Sequence, residues 1–378
     1  MRVGNNIRNN KKIVGILLLV ITLLILTIRE TEITSADIIQ DEVLEYLNSV
    51  STKEYNRTKS NADLFEDNRI GTYNYAPSIV VTDRINTFYC SNKNSGEIID
   101  HIYFRESIPA EYDTYYYSSE SIVLSPTPGE WDGVHVCDPS VIYGEFIYNN
   151  ETYNYLMAYL GCNTLDNQKN KIGLAVSNSL DSGWIKIDAN PIIEVPYDYT
   201  HKDYFQWGVG QPSILSIDGK GNVLICYTQG TWNLTSQKAS VWNLSDLNNP
   251  VCIGSCTVSN KGTNDFISNA DFAYNNGVMY LICDKHPFKS GVLSNIPDTS
   301  CIYYTKLDNI YEIDKLANCN WNPVAYISEY EKNHNTAFFR NLYGRLQSTN
   351  IVVTEAKQLK SFEDSLWTYR LKIINIEN

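Results

Sequence analysis

One strand opening recurs along this chain: Ala76-Pro77-Ser78-Ile79, Asp138-Pro139-Ser140-Val141 and Gln211-Pro212-Ser213-Ile214. Each copy leads into a turn, an aromatic-rich strand and a third polar-aromatic strand. A degenerate fourth copy is read at Ala270-Asp271-Phe272 and a fifth at Thr336-Ala337-Phe338, which sets a repeat of roughly 60 to 70 residues. A lone four-stranded sheet cannot bury both of its faces, so regular reuse of one all-β unit at this spacing predicts radial stacking of the units. Five units fill the available length. The expected fold is all-β, a five-bladed β-propeller, and the competing fold is a β-sandwich in which the Pro-Ser dipeptides coincide by chance.

The strands inside the units are legible. Thr152–Leu160 and Asn222–Thr228 are rich in β-branched and aromatic residues and follow turn signals at Asn149-Asn150 and Asp218-Gly219. Val278–Cys283 follows Asn275-Asn276-Gly277 in the same way. No linker composition divides the region, so residues 71–378 read as one propeller domain.

Upstream, Arg2, Arg8, Lys11 and Lys12 precede an uncharged, largely apolar stretch from Ile13 to Ile28, closed by Arg29-Glu30. That length is short for a membrane span and long for the apolar part of a signal peptide. Residues 1–29 therefore read as a signal anchor or a signal peptide. The basic flank places the anchor's start in the cytoplasm and the propeller outside it, with a secreted protein as the alternative. Residues 30–70 read as a polar stem, in which Ile38, Ile39, Val43, Leu44 and Leu47 suit a short amphipathic helix.

Composition excludes some partners. With 43 acidic against 30 basic side chains and a net charge of −13, the chain lacks the basic surface that nucleic acid or an anionic membrane face requires. The membrane is then a partner through the N-terminal segment only. The 28 Tyr and 7 Trp suit sugar faces as well as strands. The nine cysteines stand mostly alone in apolar runs, as buried thiols do. Only Cys252 and Cys256 are close enough in sequence for a local bridge. His101, His135, His201, His286 and His334 are scattered without a metal-binding spacing, so neither a metal nor another cofactor is expected. Sequons stand at Asn56, Asn150, Asn233 and Asn243.

The segment Trp131-Asp132-Gly133-Val134-His135-Val136-Cys137-Asp138-Pro139-Ser140-Val141-Ile142, with Tyr153–Gly161, Ile172-Gly173-Leu174-Ala175-Val176-Ser177 and Gly183-Trp184 after it, resembles the five-bladed propeller glycoside hydrolases of the arabinanase and β-xylosidase type, family 43-like, with the invertases more distant. The resemblance implies that Asp138 projects a carboxylate into a central pocket, either as general base or as the Asp that tunes the acid. If the first blade begins at Ala76, the base position holds Ala76 and the acid position Gln211. If it begins at Asp138, the tuning position holds Gln211 and the acid position lies near Asp271. Both registers depart from the family's two Asp and one Glu.

Inverting hydrolysis needs a protonated carboxyl at the leaving oxygen and a second group that activates water. An amide at Gln211 can hold a sugar hydroxyl but cannot donate that proton. Asp138 and Asp271 are the expected catalytic pair, with Gln211 and Asn269 as substrate-binding amides and Trp131, Trp207 and Trp232 as stacking platforms. His334 and Arg340 form a polar run at the fifth inner strand, where Arg340 would steer a carboxylated sugar. Glu329 and Glu331 are candidates for an acid supplied from a loop, and His201-Lys202-Asp203-Tyr204 for an overhang of the pocket. The expected function is a glycoside hydrolase, inverting, on a polysaccharide or its oligosaccharides. The alternatives are a catalytically silent glycan-binding propeller and a protein-interaction propeller without a pocket.

Overall fold

The computed structural model describes residues 54–55, 62–65, 69–109, 115–285, 299–328, 332–357, 359 and 361–376. The expected apolar segment at 13–28, the helix around 38–47 and the candidates Glu329 and Glu331 lie outside the described residues. Among the described residues the fold is nearly all β, with two short α-helices, Ile313–Leu316 and Phe362–Leu366. No helix among them is long and apolar enough to cross a membrane.

The strands form antiparallel meanders, five among the described residues. The first runs through Asn74–Val81, Ile85–Asn92 and Asp100–Pro109, with Tyr115–Tyr117 and Ser121–Leu124 on its outer edge. The second orders His135–Tyr148, Glu151–Cys162, Lys171–Ser177 and Ile185–Lys186. The third orders Gly208–Ser216, Asn222–Gly230, Thr235–Asn243 and Val251–Thr257. The fourth orders Asp271–Asn275, Val278–Asp284, Thr299–Lys306 and Asn322–Ser328. The fifth orders Lys332–Arg340, Leu346–Ala356 and Arg370–Asn375.

Neighbouring meanders pack face to face, and the side-chain alternation of the strands explains how. In the first meander Phe88 joins Met157 and Tyr159 of the second, while the next residue, Tyr89, joins Phe339 and Val352 of the fifth. In the third, Leu224 packs with Phe272 and Leu281 of the fourth while Ile225 packs with Leu156 and Leu174 of the second. Because both faces are buried, these antiparallel strands read as nearly unbroken apolar runs, as at Val223-Leu224-Ile225-Cys226. The succession closes where the inner strands of the fifth and first meanders pair in parallel, Phe339 with Ile79 and Arg340 with Val80.

Two segments within the expected stem join the sheets. Ala62–Asp63 pairs antiparallel with Arg370–Asn375 and supplies the outer strand of the fifth meander, and Glu54–Tyr55 pairs with Asn322–Ser328 at the edge of the fourth. Strands two and three of a meander are contiguous in sequence, but an outer strand borrowed from the other end of the chain leaves no local signal. The cysteine reading also needs correction. Cys90 and Cys137 form a disulfide that ties the second strand of the first meander to the inner strand of the second, whereas Cys252 and Cys256 are not bridged.

Candidate active site

The meanders converge through one repeated backbone device. Ala76, Asp138, Gln211, Asn269 and Asn335 all have a positive φ, between 43° and 52°. Four of them fall in a register shift of the inner strand, at Tyr75/Ser78, Cys137/Ser140, Gly210/Ser213 and His334/Ala337. Such a bulge leaves residues out of the ladder and turns their side chains, and a proline in it forfeits no ladder bond because it has no N–H to give. The Pro-Ser signature is thus a bulge followed by the first paired residue.

This alignment corrects the register of the fourth and fifth units. The equivalent of Asp138-Pro139-Ser140 is Asn269-Ala270-Asp271, and then Asn335-Thr336-Ala337, so Asp271 stands two residues past the bulge. It matches Ser140 and Ser213, not Asp138. Those serines stitch one inner strand to the next, since Ser140 Oγ accepts from Ile214 N–H (3.0 Å) and Ser213 Oγ from Phe272 N–H (3.0 Å). Asp271 Oδ2 accepts from Phe338 N–H (2.9 Å) and continues the series. Its Oδ1 takes Ser213 Oγ–H (2.7 Å) and the Arg340 guanidinium (3.0 Å). Arg340 is 2 % exposed, and it also donates to Phe272 O (2.8 Å), Ser213 Oγ (3.0 Å) and Ser140 Oγ (3.1 Å). Both charged groups are therefore committed to each other and to three inner strands. The axial shaft they line is a space of about 40 Å³, enough for a water or two but not a sugar.

Above the shaft lies a cleft of about 650 Å³, within the usual range of ligand sites. Asp138, Gln211, Asn269, His334 and Trp207 line it, together with Asp100, His135, Tyr75, Phe205 and Glu363. Trp131 is elsewhere, stacked on Tyr159 at 5.8 Å and covering Gly161 and Gly173, where a β-carbon would strike its ring. Trp232 lines a separate groove. His201 stacks on Trp232 at 3.7 Å and so belongs to that neighbourhood too.

Two carboxylate–histidine pairs flank Asp138 in the cleft. His135 Nδ1 lies 2.8 Å from Asp100 Oδ2, and Tyr73 donates its hydroxyl to Asp100 Oδ1 at 2.7 Å. Burial works against protonation of His135, yet the hydrogen bond and charge of Asp100 leave its pKa raised above the ordinary value. On the other side His334 Nδ1 lies 2.8 Å from Oδ2 of the buried Asp284. Asn269 bridges these groups, because it donates to Asp284 and takes a hydrogen bond from the Gln211 amide, while its N–H donates to Gln211 Oε1 at 2.9 Å.

Asp138 is 9 % exposed. Burial first, then the charge of Asp100, push its carboxyl up to about 7, against the opposing influence of His334 and of the Gln211 N–H. The disulfide sits directly beneath, with the Asp138 N–H 3.0 Å from Cys90 Sγ. The arrangement offers a carboxyl that holds its proton near neutrality beside an imidazole oriented by a second carboxylate.

Asp100, His135 and Asp284 escaped the sequence reading because only the pairing of the sheets brings them to the cleft. Asp100 opens a strand and Asp284 closes one away from any Pro-Ser copy, whereas His135 opens the strand that carries the Asp138 copy and read there only as part of the repeat. Asn269 and Asn335 did carry a usable signal. Asn tolerates positive φ better than most residues, so an Asn at the right distance from a Pro-Ser copy marks the bulge even when the proline is gone.

No family model matches the chain, and no curated protein matches it in sequence. Among solved structures the chain is similar to a family 117 glycoside hydrolase of the marine bacterium Zobellia galactanivorans, with TM-score 0.54 and 11% identity over 85% of this chain and 90% of that one. It is similar to an α-L-arabinofuranosidase from Lactobacillus brevis, with TM-score 0.52 and 10% identity over 81% and 91%. An exo-β-1,3-galactanase from Phanerochaete chrysosporium gives TM-score 0.51 and 13% identity over 84% and 64%. At these identities the likeness concerns the fold, and it agrees with the resemblance read from the segment around Asp138.

Proposed function

We propose that the protein is a glycoside hydrolase that cleaves O-glycosidic bonds of a polysaccharide or its oligosaccharides in the cleft at the mouth of a five-bladed propeller. The observation that carries this reading is the Asp138 carboxyl, raised to about 7 and facing a cleft of ligand size. A general acid must still hold its proton at the working pH, and burial supplies that condition here. His334, oriented through Nδ1 by Asp284, takes the role of base at its other nitrogen. In the proposed reaction a water attacks the anomeric carbon and gives a proton to His334 Nε2. The bond to the leaving oxygen breaks, and that oxygen takes the proton of Asp138. Attack by water in a single displacement inverts the anomeric centre. Asn269 positions the Gln211 amide, whose second N–H is left for a sugar hydroxyl, and Trp207 offers an apolar face. Asp271 and Arg340 are assigned to the frame, because their polar atoms are already engaged in the shaft.

The fold shared with glycosidases that act on arabinosyl and galactan linkages supports the substrate class. The Cys90–Cys137 disulfide supports a domain outside the cytoplasm, anchored through Ile13–Ile28 or secreted, because such bonds persist in oxidising compartments. The test is release of reducing sugar from arabinan, xylan and β-1,3-galactan and from matching aryl glycosides, by the wild type and by Asp138→Asn. Turnover of natural linkages should fall about 10²- to 10⁴-fold in the variant. Dinitrophenyl glycosides, whose leaving group needs no proton, should lose far less. Equal loss on both substrate kinds would remove Asp138 as the acid, and absence of wild-type turnover across the panel would favour a glycan-binding protein instead.

A further inference from the structure

Behind the wall that carries Trp207 lies a second groove of about 550 Å³, and it has no part in the chemistry above. One stretch of chain separates the two spaces. Phe205 and Trp207 line the cleft, whereas Gln206 and Gly208 line the groove, and Asn167 and Lys169 divide in the same manner. The groove therefore continues from the cleft across a single strand's width.

Its rim gathers aromatic side chains that folding has left in solvent. Tyr199 is 74 % exposed, Tyr204, whose ring lies 5.8 Å from that of Trp232, 60 %, and Trp232 37 %, within two loops. Isolated exposed aromatics need no explanation, but a cluster of them on a braced surface does. The bracing is specific. Buried Gln206 donates to Asp198 O (2.8 Å) and His201 O (3.1 Å) and accepts from Asp198 N–H (3.0 Å). Asp198 holds His201 Nδ1 at 2.7 Å, and the imidazole stacks against the Trp232 indole from behind. Tyr197 packs edge-on to Tyr199 at 5.1 Å, with Lys169 Nζ 4.3 Å over its ring. Rings held this way lose little freedom on contact, which favours affinity. Between them Thr231, Asn233 and Asp198 supply hydroxyl, amide and carboxylate groups. Apolar ring faces spaced among hydrogen-bonding groups suit a chain of pyranoses or furanoses, whose C–H faces stack and whose hydroxyls donate and accept.

We propose that this groove is a second carbohydrate site that grips the same glycan chain entering the cleft, so that the ligand is a polymer of many sugars and not a di- or trisaccharide. The proposal rests on the cleft being a carbohydrate site, and its test separates the two. Binding of soluble arabinan, xylan and β-1,3-galactan to the full chain is measured by affinity electrophoresis, and binding of the matching trisaccharides by calorimetry. Trp232→Ala and Tyr199→Ala are each expected to weaken polysaccharide binding about tenfold and leave trisaccharide binding and turnover unchanged, with Trp232→Phe restoring most of the loss. Tyr199 is exposed and meets the fold edge-on at Tyr197, so its truncation reads the surface without unfolding the domain. Wild-type polysaccharide affinity in both alanine variants would overturn the second site while leaving the hydrolase reading intact. Aromatic-dependent polysaccharide binding without turnover would sustain the site and remove the hydrolase. A wild type that binds none of the three polysaccharides overturns the proposal.

Discussion

Replacing Asp138 with Asn should make the protein more stable as it makes it inactive. The folded-state pKa of Asp138 is about 7 against the usual 3.8, because burial and Asp100 penalise the charged form. Below pH 3.8 the folded and unfolded chains both carry the proton and the site contributes no pH dependence. Between 3.8 and 7 the unfolded chain releases it while the folded chain retains it, so stability falls as pH rises, by about 1.36 kcal/mol per pH unit. The accumulated cost above pH 7 is about 4 kcal/mol, and Asn at this position does not incur it. Asn also suits the backbone, since φ is 47° at Asp138 and 47° at Asn269, its counterpart in the fourth meander. Thermal and urea unfolding of both proteins from about pH 4 to pH 8 isolates the effect, because every other titrating group is common to the pair. The variant should match the wild type near pH 4 and exceed it by on the order of 5–10 °C in Tm at about pH 8. A gap that stays constant over this range, or a variant less stable at the alkaline end, would refute the buried, proton-retaining carboxyl and with it the assignment of the acid.

Further variants test named contacts. His334→Gln should lower kcat by about 10²-fold or more with little change in KM, and Asp284→Asn should lower kcat less, since it keeps the imidazole and alters the carboxylate that orients it. Arg340→Met leaves the Asp271 carboxylate without its partner under the cleft and should destabilise by about 3–5 kcal/mol in chemical denaturation, with much of the loss recovered in Arg340→Met/Asp271→Asn. Opening the Cys90–Cys137 disulfide by Cys90→Ser releases a loop of 47 residues, and the loss should be about 4 kcal/mol on the chain-entropy account, read as a drop in the urea midpoint.

The repeat is legible because the sequence carries it in residues with strong local preferences. Thr152–Leu160, Asn222–Thr228 and Val278–Cys283 each fall inside an observed strand, and Asn149, Asn150, Gly219 and Gly277 adopt the positive φ that turn residues favour. The fourth unit reads two residues late because its bulge lacks proline and the apolar Phe272 imitates a strand start. That small slip moves Asp271 from the stitching position to the mouth of the ring, because the bulge turns its residues away from the faces that the rest of the strand presents. The tryptophans are harder to place, because whether an indole lines a cleft or packs over glycines depends on neighbours distant in sequence. Trp131 lies over Gly161 and Gly173, and nothing near Trp131 in sequence announces them.

The ring of five left-handed residues explains why counting carboxylates at strand openings could not find the chemistry. Its members are Ala76, Asp138, Gln211, Asn269 and Asn335, so the ring itself holds one ionisable group. A lone carboxyl there is kept neutral by burial. The partners it needs arrive from the next layer outward, where Asp100 begins the third strand of the first meander and Asp284 ends the second strand of the fourth. Each of these acids reaches across to a histidine on the inner strand of the following meander, His135 and His334. The acid–histidine pairs are therefore joints between successive meanders as well as walls of the cleft. Loss of either acid would loosen a joint and leave an imidazole without its partner, which is why Asp284→Asn, and not Asp284→Ala, separates the orienting role from the structural one.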